Sequence, residues 1–98
     1  MDPELPDINI SDVVIPTAGR EQGKLFYVIG TDPIYLLLAN GKDRTLDKPK
    51  RKKRKHVQKV LRSETRVAEK LRLGDKVLNS ELRRDLAFLS REMQSSDL

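Results

Sequence analysis

From Lys48 to Arg62, nine of fifteen residues are lysine or arginine and none is acidic. Such a block cannot enter an apolar core, so the core must be assembled from short apolar runs on either side of it. The rest of the 98-residue chain carries no positive excess. Residues 1–47 hold eight acids against four bases, and residues 63–98 hold seven of each. The formal net charge of +5 is therefore the work of one segment. Concentrated like charge repels itself and calls for a polyanion. Nucleic acid fits better than an anionic membrane, because no basic helix with a broad apolar face accompanies the block. With 37% apolar and 36% charged residues, a thin core is expected and a large catalytic cleft is not. The absence of cysteine excludes disulfides and thiolate metal sites. No apolar run approaches the roughly 18 residues of a membrane span, and no hydrophobic leader is visible. The expectation is a cytoplasmic chain.

Pro3, Pro6 and three acids mark residues 1–10 as a flexible acidic arm, with Ile8 and Ile10 as anchor points. The β-branched run Val13–Ile15, closed by Pro16, predicts a first strand. A turn with two glycines, Thr17–Gly23, separates it from a second strand at Leu25–Ile29. Gly30-Thr31-Asp32-Pro33 punctuates the chain before a third strand, Ile34–Ala39. Asn40-Gly41 favours positive φ at both positions and predicts a tight hairpin into a short strand at Arg44–Leu46. A fifth strand, His56–Leu61, follows the basic run. Strands at this spacing predict a small antiparallel barrel over residues 11–61, with the basic segment 48–62 inside it. The period then changes. Val67 and Leu71 predict a helix closed by Gly74, and Asn79-Ser80 offers a cap for a second helix. Leu82, Leu86, Leu89 and Met93 form one helical stripe that can cover the barrel. Residues 63–98 thus read as a C-terminal appendage of two short helices, with one long helix through Gly74 as the alternative, and a frayed end at 95–98. The fold class is mainly β with C-terminal helices.

The stretch V-V-I-P-T-A-G-R-E-Q-G-K-L-F-Y-V (Val13–Val28) resembles a KOW motif, the signature of small SH3-like barrels in ribosomal proteins and transcription elongation factors. The likeness continues through Asn40-Gly41-Lys42 and Pro49-Lys50 to His56, and Asn79–Arg83 resembles the tail of the bacterial KOW-domain RNA-binding proteins. Ser11-Asp12 departs from the pattern, which usually has a glycine before the first strand. The resemblance implies an SH3-like barrel, RNA binding on ribosomal RNA or a ribosome-linked particle, and no catalysis.

The candidate contacts follow from charge and from that resemblance. Lys48, Lys50, Arg51, Lys52, Lys53, Arg54, Lys55 and Lys59 are candidates for phosphate contact, which releases counterions. Arg51 and Arg54 can also bind phosphate bidentately or stack on unpaired bases. Arg20 and Lys24 flank the glycine turn, and Lys42 and Arg44 flank the Asn-Gly turn, each pair placed to follow a phosphate backbone. His56 is the sole histidine and lies without a second metal ligand or an acid, so it is a stacking candidate or the start of a strand. Strand alternation puts Phe26 and Tyr27 on opposite faces. Tyr27 and Tyr35 suit a stacking platform better than Phe26, although core packing explains all three aromatics. No nucleophile, paired-carboxylate or phosphate-loop motif appears, and no cofactor or metal is expected. The expected partner is RNA, ribosomal RNA foremost, with ribosomal proteins beside it. No membrane is expected, and a homo-oligomer is allowed but not required. Three other readings stand beside this one: an adaptor acting through the C-terminal helix, non-specific DNA binding, and a nuclear-import signal at Pro49–Lys55.

Overall fold

The computed structural model describes residues 7–95. Five strands form one antiparallel sheet: β1 (Asp12–Pro16), β2 (Phe26–Thr31), β3 (Tyr35–Ala39), β4 (Lys50–Lys53) and β5 (Val57–Arg62). Their order is β4-β3-β2-β1-β5. A single 3-10 turn, Arg54–His56, joins the two edge strands. Two helices follow, α1 (Arg66–Leu73) and α2 (Asn79–Ser95). The class is the expected one: mainly β, a small barrel-like antiparallel sheet, and helices near the C-terminus.

Both faces of the sheet are apolar, and each makes its own core. Val14, Phe26, Val28, Leu36 and Leu38 face inward with Val57 of β5 and Ile8. A residue of edge strand β5 thus packs with residues of β3, next to the opposite edge, so the sheet curls around a shared interior. The other face presents Val13, Tyr27 and Ala39, which are covered by Ala68 of α1 and by Leu82, Leu86 and Leu89 of α2. The predicted leucine stripe is therefore spent on the chain's own sheet. About fifty barrel residues bury too little surface alone, and this second layer supplies the rest.

The expected anchor Ile8 is buried, whereas Ile10 is 37% exposed. The remainder of the expected arm, residues 1–6, and residues 96–98 of the predicted frayed end lie outside the described residues, while Ser95 is still part of α2. Ser11 occupies the position where the resembled pattern has glycine, and it takes a glycine-like φ of 75°. Its hydroxyl accepts a 2.7 Å bond from Arg72 Nη1, which also donates to the Ser63 carbonyl. Ser11 thus supplies the left-handed backbone and ties α1 to the entrance of β1.

The second half of the hairpin expectation is corrected. Arg44–Leu46 is not a strand; only Thr45 bridges to Lys48. The partner of β3 is the cationic run itself, with Leu36 opposite Lys52 and Leu38 opposite Lys50. Asn40-Gly41 builds a different turn from the one predicted. Only Gly41 has positive φ, at 78°, while the Asn40 side chain accepts from the Lys42 and Arg44 amides. The reason is α2: a Cβ on Gly41 would lie 2.2 Å from the Asn79 carbonyl oxygen. The predicted Asn79 cap is corrected too. Asn79 Oδ1 accepts from the Leu46 amide at 2.8 Å, and Glu81 caps α2 by accepting from the Leu78 amide. Thr65 caps α1 through the Ala68 amide, and Gly74 closes it at φ 75° as expected.

A buried polar cluster fixes the helices to the sheet. The Tyr27 hydroxyl donates to Asp85 Oδ2 and lies 2.8 Å from Ser63 Oγ. Thr65 Oγ1 donates to the same Asp85 oxygen at 2.8 Å. Burial first, and then the bond to Asp85, push the Tyr27 hydroxyl up to about 12 from its usual value of 10.0. Ionisation is therefore harder folded than unfolded, so this contribution is complete below pH 10 and is lost as pH rises toward 12. Tyr27→Phe should lower stability by about 1–3 kcal/mol at neutral pH, read from urea midpoints. The gap between wild type and variant should close between pH 10 and 12; a gap constant to pH 12 would contradict the cluster. At Ser11, Ser11→Ala loses the arginine bond and keeps the strained backbone, for a cost of about 1.5–3 kcal/mol. Ser11→Gly should cost about 1 kcal/mol less than that, because it relieves the strain. Equal losses in the same unfolding assay would mean that the strain is absent.

Candidate nucleic-acid interface

The first four cations of the Lys50–Lys55 run form strand β4, and alternation divides their charges between two faces. Lys50 and Lys52 stand opposite the core residues Leu38 and Leu36. Both residues are half-buried, and the Lys52 ammonium reaches the glycine turn at one end of the barrel. There Lys52 Nζ donates to the Ala18 carbonyl at 2.7 Å, and the Lys50 charge acts on Glu21. Arg51 and Lys53 stand opposite Leu37 and Tyr35 and are exposed on the outer face. The Arg51 guanidinium lies 3.6 Å above the centroid of the Tyr35 ring. Arg54 turns back into the fold, donating to the carbonyls of Asp32 and Ile8 at 2.8 and 3.1 Å. Lys55 is exposed. His56 ends the 3-10 turn instead of opening β5, and its carbonyl accepts from the Thr17 amide.

The glycine turn and the Asn-Gly turn meet at the same barrel end as Lys50 and Lys52. Gly19, at φ 85°, passes so close that a Cβ would come 2.8 Å from Lys52 Nζ. The two turns are joined by ion pairs. Arg44 contacts Glu21 Oε1 through Nη2 at 2.5 Å and Nε at 3.1 Å, and Glu21 is buried. That bond holds the Glu21 carboxyl below its usual range. Lys24 pairs with Asp43 at 3.2 Å on the surface. The Asn40 amide, and then Lys24, depress the Asp43 carboxyl. Arg44 and Lys24 therefore have internal partners, while Arg20 and Lys42 are exposed beside them. Lys59 lies on the far edge strand, paired with Asp12 at 3.2 Å. Lys48 is exposed just before β4.

Among the described residues, the six ion pairs use Lys24, Arg44, Lys59, Arg62, Lys70 and Arg72. None involves a cation from Lys48 to Lys55. Of the stacking candidates, Tyr27 and Phe26 are fully buried and cannot meet a base; Tyr35 is half-exposed. Two surface residues escaped the sequence reading. Ile34 is 58% exposed and Leu37 is 38% exposed, both beside Tyr35. Alternation within Leu36-Leu37-Leu38 was the available signal for Leu37. Arg83 was missed as well; it reaches the Asn-Gly turn from α2 and donates to the Gly41 carbonyl at 3.2 Å.

No protein-family model matches this chain, and a search of curated proteins finds no match. Among the described residues no helix is long and apolar enough to cross a membrane.

The Glu21 geometry has a pH signature. A carboxyl depressed in the folded state contributes stability that is present above its unfolded value and lost as pH falls through the folded one. Glu21→Gln should therefore be less stable than wild type at pH 7, with the difference shrinking as pH falls below 4.5. Urea midpoints across that range check it, and a difference independent of pH would contradict the ion pair's contribution.

Proposed function

We propose that this chain is a non-catalytic RNA-binding protein of KOW type, ribosome-associated, which contacts phosphates through β4 and the segments flanking it. The observation that carries this reading is the unpaired state of the basic run. Elsewhere the fold gives many cations carboxylate partners, yet it leaves Lys48, Arg51, Lys53 and Lys55 exposed with none among the described residues. Holding these charges near one another on β4 and its two flanks raises the local potential and favours a polyanion. Arg20 and Lys42 extend the charge from the two turns at the barrel end. Backbone contacts of this kind give affinity and orientation without sequence information. The KOW resemblance selects RNA over DNA as the polyanion. An adaptor role through the C-terminal stripe has less support, since Leu82, Leu86 and Leu89 are buried against the sheet.

Cosedimentation with ribosomal subunits across a salt series tests the proposal. Wild type should appear in ribosomal fractions at low salt and leave them as salt rises. In solution binding to structured RNA, Lys48→Gln/Lys53→Gln/Lys55→Gln should reduce the logarithmic salt slope by about 2–3, about one unit for each phosphate that is no longer neutralised. Absence from the ribosomal fractions at low salt would refute the ribosomal assignment. Equal affinity for duplex DNA and structured RNA at one salt concentration would refute the RNA assignment.

A further inference from the structure

The helical layer covers only part of the outer sheet face. It lies over Val13, Tyr27 and Ala39, but Tyr35 and Leu37, further back along β3 on the same face, remain outside it. Opposite them stand Lys53 and Arg51. The uncovered area is thus a tyrosine ring and a leucine side chain, flanked by two cations. Ile34 and Pro33, both exposed, extend it to a shallow hollow lined by Lys53, Arg54 and Lys55. Arg51 lies over the Tyr35 ring with its guanidinium carbon 3.6 Å from the centroid. No carboxylate among the described residues pairs with Arg51. The Asp32 carboxylate accepts from the amides of Ile34 and Tyr35 at 2.8 and 2.6 Å; the charges of Arg51 and Arg54 act on it from a distance without forming an ion pair.

We infer that this patch stacks an unpaired nucleobase, so that the chain prefers RNA with a single-stranded or flipped-out nucleotide over continuous duplex. The inference rests on the RNA-binding reading above and deepens it by naming the form of RNA. The cation–π contact restrains a planar guanidinium against Tyr35. Its planar, weakly hydrated surface is of the kind on which bases stack. Leu37 and Ile34 add apolar area that a phosphate ligand alone does not require. Lys53 and Lys55, exposed beside the apolar area, supply cations for the phosphates of the same nucleotide. A base inside a duplex is already stacked between its neighbours and cannot use the platform. Charge complementarity favours a nucleotide over an apolar peptide, because three exposed cations surround the apolar area without an intervening ion pair.

The test compares the full chain with Arg51→Lys, which keeps the charge and removes the plane. The probes are a short unstructured RNA strand and the same sequence as a duplex, followed by fluorescence anisotropy at fixed salt. Wild type should bind the single strand more tightly. Arg51→Lys should weaken single-strand binding by about 5- to 100-fold, lower the ratio of single-strand to duplex affinity with it, and leave the salt slope unaltered. Tyr35→Leu should weaken the single strand in the same direction, with thermal melts confirming that both variants fold. The inference is overturned if Arg51→Lys affects strand and duplex equally, or neither. Tighter binding of wild type to the duplex also overturns it, as does an Arg51-dependent preference for a glutamate-rich peptide. If wild type binds neither RNA at low salt, the RNA-binding reading itself fails, an outcome distinct from equal binding to both.

Discussion

One hydroxyl holds the two layers of this protein together. Tyr27 projects from β2 on the face opposite the barrel interior, and its ring is the largest fully buried side chain. A buried phenol needs a partner. It finds Asp85 on α2, while Ser63 and Thr65 close the remaining bonds near the start of α1. Apolar burial alone would let α2 slide along the sheet, since leucine contacts have little direction. The hydrogen-bonded cluster fixes both helices at one register. That register places the N-terminal end of α2 against Gly41, where the chain is closer than any side chain permits. The Asn-Gly turn, the Arg44–Glu21 pair and the glycine turn are positioned in sequence from there.

Elements whose signals are local were legible in the chain. β1, β2, β3 and β5 came from β-branched and apolar runs bounded by glycine, proline and aspartate. The end of α1 came from Gly74, and the leucine stripe announced α2. β4 was not legible, because Lys-Arg-Lys-Lys has no strand character of its own. Its extended form is imposed by hydrogen bonding to β3, a property of the neighbour. The Asn79 side chain illustrates the same limit. Its preference for helix caps is real, yet the Leu46 amide, 33 residues earlier, takes its oxygen. The Tyr27–Asp85 pair spans 58 residues and leaves no local trace at all.

The candidate interface was legible as a charge and illegible as a surface. A run of six cations, Lys50–Lys55, reads as one feature in the chain. In the fold it becomes three groups with different duties. Lys50 and Lys52 support the barrel end, Arg54 pins the β2–β3 turn and the arm, and Arg51, Lys53 and Lys55 face outward. Charge counting cannot make that division, because it depends on strand register. Tyr35 gains its importance in the same way, from the arginine that register sets over it.

β4 stands at the end of the strand order, with one side of its backbone turned away from the sheet. An open strand edge is a template on which a second chain can pair, and charged side chains, lysine above all, are among the means proteins use to prevent that. The cations of β4 are side chains of the kind that discourages such pairing. Charge neutralisation along β4 weakens that barrier to self-association, and on the proposed function it removes contacts to RNA as well. On that reading, self-association and loss of binding are two outcomes of one electrostatic change at the sheet's edge.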